Sequence, residues 1–364
     1  MKKIILSLFI GLVSIFSSAQ IDSAWAGEPT IKWSAFAEAY YAYTANQPDE
    51  RYLYYQGVNY TRHNEMGLNH AMLKANLKHA KYRGNVALQA GLYPILNYNT
   101  TPDESLFRNV MEANVGIALN KKNTWWLDAG IFNSHIGFES VVSFDNWTLT
   151  RSFMAEYSPY YMSGGKITHQ PNEKWELMAM VTNGWQRIVK STGNNRPSIT
   201  TLLKYTPSKK TTVGWATYAG SDLPDSNRRM RYFSNLYGQF QLTERLGLTA
   251  AIDVGGQQEF KDSEFYQLWY TPVVIVRYQM SDKWAVAVRG EYYEDKNQVV
   301  VPSRDDDGFV TQGSSINFDF KPSKRIACRM ETRWLRSQGK EYRRGDDYVN
   351  DNVYAVASIS ILID

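Results

Sequence analysis

The 364-residue sequence predicts an all-β chain, a transmembrane antiparallel β-barrel of about sixteen strands with its third external loop folded inward. Three observations predict it. Apolar and polar residues alternate over stretches of about ten residues along most of the chain. After the first twenty residues there is no apolar run near the roughly twenty residues that a membrane helix needs. Short turns also alternate with long polar loops, as they do in outer-membrane barrels.

The stretch 284–294 shows the alternation most clearly. Trp284, Val286, Val288, Gly290 and Tyr292 share one face of a strand, and Ala285, Ala287, Arg289, Glu291 and Tyr293 share the other. Such a strand needs oil on one side and water on the other. Mean hydropathy is negative although 14% of residues are aromatic. A barrel reconciles the two, because only alternate residues meet lipid.

The N-terminus comes first. Lys2 and Lys3, an apolar stretch over 4–16 and Ser17-Ser18-Ala19 have the pattern of a signal peptide over 1–19, leaving 20–364 as the barrel. A second cut site follows Ala24-Trp25-Ala26. No cysteine lies near either cut, so a lipoprotein anchor is not expected. Cys328 is the single cysteine and excludes an internal disulfide. The net charge of +4 falls to about +2 without Lys2 and Lys3, too balanced to suggest nucleic acid.

Strands are expected at 32–43, 65–79, 82–92, 110–120, 124–132, 160–169, 175–185 and 199–206. They continue at 211–219, 231–242, 246–257, 267–280, 284–294, 313–321, 326–336 and 353–363. Short turns fall at 80–81, 121–122, 169–174, 207–210, 243–245, 281–283 and 322–325. Long loops fall at 44–64, 94–109, 220–230, 295–312 and 337–352. This parity puts both chain ends on the short-turn, periplasmic side. Several turns pair Pro, Ser, Asn or Asp with cations, and Trp175 and Trp284 follow two of them, where a membrane interface favours tryptophan.

The charged face is expected to point inward. Arg83 and Asn85 alternate with Val86 and Leu88, Asp253 with Ile252 and Val254, and Arg329, Glu331 and Arg333 with Cys328, Met330 and Thr332. A one-residue slip would turn these charges to lipid, where arginine at the midplane costs about 2–4 kcal/mol. About sixteen strands enclose an aqueous channel, so the chain reads as a pore. The closing strand ends in Asp364, without a terminal aromatic.

The segment 133–159 departs from the other loops. It mixes Trp, Phe, Ile and Leu with polar residues, as in Ser134-His135-Ile136-Gly137-Phe138-Glu139-Ser140 and Asp145-Asn146-Trp147-Thr148-Leu149-Thr150-Arg151-Ser152. So much apolar surface suits a loop packed against the inner wall, a constriction loop, rather than one in solvent. An external cap or further strands are the alternative.

This region resembles the OmpL-like group of β-barrel porins. The resemblance rests on Arg62-His63-Asn64-Glu65, Glu112-Ala113-Asn114-Val115-Gly116, Leu127-Asp128-Ala129-Gly130-Ile131-Phe132, Ser134 to Ser140, Asp145 to Ser152, Glu156 with Ser158-Pro159-Tyr160-Tyr161, and Asn183-Gly184-Trp185-Gln186. It is densest from 62 to 186. Asn133, Tyr157 and Met162-Ser163 depart from the group's Pro, Asn and Glu-Thr. The resemblance implies an outer-membrane barrel of a Gram-negative cell and supplies no substrate.

The expected site is a constriction. Glu139, Asp145 and Glu156, with His135 and Arg151, lie on the loop; Arg83, Lys204, Arg277, Arg289, Arg329 and Arg333 point in from the wall. Acids facing bases across water would make a transverse field that filters solutes by size and dipole. A mutually neutralised lumen is the alternative, since Glu112, Asp128, Glu291, Asp319 and Glu331 also point inward. A barrel enzyme such as a phospholipase would use His135 with Ser140, or His63 with Glu65, but no G-x-S-x-G elbow is present. The histidines lack metal-ligand spacing, and 305–308 lack a complete calcium-loop pattern, so neither metal nor cofactor is expected. A surface receptor or adhesin would use the tyrosine-rich loop 52–60. The leading expectation is a porin for small hydrophilic solutes. Its expected partners are outer-membrane lipid and the barrel-assembly machinery, and a homo-oligomer is compatible with it.

Overall fold

The computed structural model describes residues 27–51, 59–98, 102–304 and 306–364. The expected signal peptide and most of the tyrosine-rich stretch lie outside the described residues. Sixteen strands close into one antiparallel barrel. In chain order they begin with β1 (Thr30–Thr44), β2 (Glu65–Lys78), β3 (Tyr82–Ala90), β4 (Val110–Ala118), β5 (Trp125–Asn133), β6 (Tyr161–Asn172), β7 (Trp175–Thr182) and β8 (Ser198–Ser208). There follow β9 (Thr211–Gly220), β10 (Arg231–Gln241), β11 (Leu246–Gln258), β12 (Tyr266–Gln279), β13 (Trp284–Asp295), β14 (Phe309–Ser323) and β15 (Ile326–Ser337). After the small hairpin β16 (Tyr342–Arg344) and β17 (Asp347–Val349), the last strand β18 (Asp351–Ile363) pairs with both β15 and β1. Consecutive barrel strands are neighbours throughout, so every ladder edge is paired.

Each expected strand is present, most ends falling within two residues of expectation. Phe309–Ser323 starts earlier than foreseen because its outer end pairs with Asp295. Ala90 ends β3 earlier, since Gly91 adopts φ 117 and turns the chain into helix α1 (Leu92–Asn97). A Cβ at Gly91 would lie 2.5 Å from the Asn69 carbonyl oxygen. The hairpin β16–β17, helix α1 and the short helix α2 (Phe153–Glu156) were not foreseen, because they sit in loops that carry no periodicity.

The alternation has the expected sense. On β13, Trp284 and Val288 face outward and are exposed, while Ala287, Arg289 and Glu291 are buried inside. On β18, Val353, Ile359 and Ile361 are exposed, and Tyr354, Val356 and Ser360 are buried. An exposed apolar wall on this scale is unstable in water and is what a bilayer solvates. Aromatic rings band its short-turn end. Trp125 stacks on His169 at 4.0 Å, Trp175 on Tyr205 at 4.2 Å and Trp284 on Phe320 at 4.6 Å. Tyr41, Tyr232, Tyr266, Tyr270 and Trp334 are exposed toward the other end. Two aromatic girdles separated by aliphatic residues mark the membrane interfaces.

Candidate functional site: the loop inside the barrel

Residues 134–160 connect β5 to β6 and run along the inward face of distant strands. His135 Nε2 lies 2.8 Å from Thr200 Oγ1 on β8. Gly137 N donates to Asn235 Oδ1 on β10 at 3.1 Å. The Trp147 ring covers Gly247 on β11, where a Cβ would meet it at 2.6 Å. Ser143 Oγ donates to Glu38 on β1 at 2.6 Å, and Leu149 N to Asn317 Oδ1 on β14 at 3.0 Å. All these wall residues belong to the buried, inward-facing set.

An irregular segment removed from bulk water must find partners for its backbone groups. Charged wall residues provide them here. Arg329 donates to the carbonyls of Ser143 at 2.6 Å and Asn146 at 3.0 Å, and its Nε holds Asp319 at 2.6 Å. Arg289 donates to the Thr150 carbonyl at 2.6 Å and to Thr148 Oγ1 at 3.0 Å, and reaches Glu331 at 3.0 Å and Glu291 at 3.1 Å. Glu331 accepts Thr150 N at 2.6 Å, and Glu291 accepts Phe153 N at 2.7 Å, at the start of α2. Arg333 completes the group by pairing with Glu291 at 2.6 Å. Arg289, Glu291, Glu331 and Arg333 thus form one ion network whose side chains are fully buried. Apolar packing continues it: Phe153 and Leu149 join Tyr40, Tyr293, Phe309 and Leu335 in one cluster.

The remaining wall bases differ. Arg83 pairs with Asp128 at 2.6 Å and lies over Trp126. Lys204 and Arg277 point inward, half-buried, with no carboxylate within 4 Å among the described residues. On the loop, Glu139 accepts Ser152 N at 3.0 Å and also bonds the Ser152 hydroxyl, closing the turn before α2. Glu156 accepts Tyr160 Oη at 2.5 Å and Asn59 Nδ2 at 3.0 Å. Arg151 donates to the Ala155 carbonyl at 2.9 Å and lies over the Tyr160 ring. Asp145 is exposed and lies 3.4 Å from Ser140 Oγ. Burial pushes the carboxyls of Glu139 and Glu156 above their usual range and drives the His135 imidazole down to about 3.

The structure therefore joins Arg289, Arg329 and Arg333 to the loop backbone, sets Glu139 in contacts of the loop's own, and ties Glu156 to Tyr160 and to Asn59 of the β1–β2 connection. Lys204 and Arg277 are not brought to the loop carboxylates by any ion pair. His135 bonds Thr200 rather than Ser140, while His63 Nδ1 accepts Thr44 N and Glu65 pairs with Arg62. Sequence reasoning missed Glu38, Asn317 and Gly247. The first two carried a signal, as polar residues on inward positions of apolar strands. Gly247 carried none. No cluster able to hold a metal occurs among the described residues.

Residues 30–363 match the family described as putative beta-barrel porin-2, OmpL-like. No curated protein is similar enough in sequence to count as a match. Solved structures resemble the barrel in shape at low identity. One is an anion-selective porin from Comamonas acidovorans, with TM-score 0.60, 8% identity, and coverage of 92% of this chain and 100% of that one. Another is the outer-membrane channel DcaP of Acinetobacter baumannii, with TM-score 0.58, 12% identity, and coverage of 92% and 98%. A third is OprB of Pseudomonas putida, with TM-score 0.58, 7% identity, and coverage of 92% and 94%.

Proposed function

We propose, from the premise that this chain belongs to the putative beta-barrel porin-2, OmpL-like family, that residues 134–160 set the size limit of its bore. The protein is an outer-membrane porin. In our reading it resides in a Gram-negative cell, reaches its membrane after loss of residues 1–19, and passes small hydrophilic solutes without chemistry. The observation that carries the reading is the two-sided wall. Aliphatic residues such as Val288 and Ile359 cover its outside, and ionised or amide side chains line its inside. Charges inside a bilayer-spanning cylinder keep their hydration only if water enters it. The loop network then narrows that water path from the β13–β15 side.

Purified protein in planar bilayers, with uncharged polyethylene glycols of graded size, tests this. Discrete conductance steps that small polymers reduce and larger ones leave untouched support a size-limited bore. A silent bilayer containing correctly folded barrel refutes it. Chemical cross-linking in outer-membrane vesicles tests the homo-oligomer. Depletion of the assembly machinery tests its role in insertion.

A further inference from the structure

The inward charges divide unevenly between those held by a partner and those left facing water. Most acids of the wall are paired or covered, Glu38 and Asp253 being buried and hydrogen-bonded to neutral groups rather than to a cation. Those of the loop network are ion-paired and covered, and Asp128 and Glu112 are matched by Arg83 and Lys74. At least four wall bases are not matched. Lys166 on β6, Lys204 on β8, Arg277 on β12 and Lys321 on β14 are each only half-buried, and none has a carboxylate within 4 Å among the described residues. Each lies in the middle of its strand or in the half nearer the short turns. Lys321 does donate to the Phe144 carbonyl at 3.0 Å, and Lys166 sits over the Phe132 ring, but both contacts leave the cation unneutralised. Against them stand two solvent-reaching acids, Glu176 opposite Lys204 and Asp145 on the loop.

We infer that the bore favours small anions, inorganic or carboxylate, over cations of the same size. This rests on the channel reading above. An ion-paired, covered acid has most of its field cancelled by its partner, whereas a partly exposed, unpaired ammonium or guanidinium acts on an ion in the water beside it. The four bases are distributed over strands on both sides of the lumen. A permeating ion therefore stays near one of them while it crosses the short-turn half, within the screening length of about 10 Å at 0.1 M salt.

The test is the reversal potential of the full-length purified protein in a planar bilayer under a potassium chloride gradient near 0.1 M. Chloride should pass on the order of several-fold faster than potassium. The preference should shrink near 1 M salt, where screening acts within about 3 Å. The double variant K204Q/R277Q should lower the ratio, while K340Q, on an exposed outer loop, should leave it unchanged. Heat-modifiable gel mobility shows that each variant is a folded barrel. Clear conductance with equal or potassium-favouring permeability overturns the inference and leaves the channel standing. A folded protein without conductance overturns the channel reading and the inference with it. A ratio unmoved in K204Q/R277Q overturns the assignment to these bases.

Discussion

Replacing Arg289 with methionine keeps the volume of the side chain and removes the centre of the loop network. The guanidinium makes four hydrogen bonds, to Thr148 Oγ1, the Thr150 carbonyl, Thr150 Oγ1 and Glu331. It also pairs with Glu291 at 3.1 Å. Summing four charge-assisted bonds would overstate the loss, because the loop can relax once freed. The better guide is the loss of one member of a buried ion group, which leaves uncompensated charge and costs about 3–5 kcal/mol. That corresponds to a change of about 10²- to 10⁴-fold in the ratio of docked to released loop. The barrel itself should survive, since its ladders do not involve this side chain. In detergent or vesicles, residues 134–160 should become cleavable by protease and single-channel conductance should rise or become noisy. Arg289→Lys should lie between the two proteins, because one ammonium cannot span the same acceptors. If the folded methionine variant keeps the wild-type cleavage rate and step size, the network does not hold the loop and the reasoning fails.

Further outcomes follow from other residues. Gly247→Leu should drive the Trp147 ring off the wall, read as a shift in tryptophan emission together with altered conductance. Val288→Arg places a cation on the lipid face near mid-strand and should lower stability in vesicles by about 2–4 kcal/mol, measured by urea unfolding. Cys328 alternates with the inward residues Ala327 and Arg329, so a membrane-permeant maleimide should label it far faster than a charged thiosulfonate. His135 offers a pH test. Its imidazole is held neutral down to about 3 in the docked loop and takes up a proton near 6.5 when released. Its contribution to docking is therefore full above about 6.5 and declines as pH falls toward 3. The raised carboxyls of Glu139 and Glu156 act in the opposite sense, because the docked form takes up their protons first. His135→Asn isolates the two. The wild type should lose docking relative to this variant only below about pH 6.5, by no more than about 1.4 kcal/mol per pH unit. Parallel protease-cleavage profiles would refute the role given to His135.

The strands were legible because a barrel wall imposes a period of two on every spanning segment, and the sequence of 284–294 shows it without the structure. The inward sense of Arg289 and Glu291 followed from the same rule. What those charges do was not legible. The expectation of acids facing bases across water treated each residue by its face alone. In the molecule Arg289 reaches Thr150, 139 positions away, and Glu331, 42 positions away. Such partners depend on how an aperiodic loop settles in the lumen. The apolar residues of 134–160 did indicate packing, and Leu149 and Phe153 are fully buried. Helix α1 and the β16–β17 hairpin escaped notice because three to six residues are too few to show a period.

The seam between β18 and β1 has a consequence for how the polypeptide is made. Thr44 bonds Asn352, which lies 308 positions later, and Phe36 opposes Leu362 in the closing ladder. Until the last dozen residues arrive, the first and latest segments each carry a row of open amide groups that neither oil nor a partner satisfies. A chain truncated before β18 is then no smaller, weaker version of the whole. It is a sheet with two raw borders, suited to degradation or clumping. Biosynthesis must hold some three hundred residues in reserve until the two extremities meet.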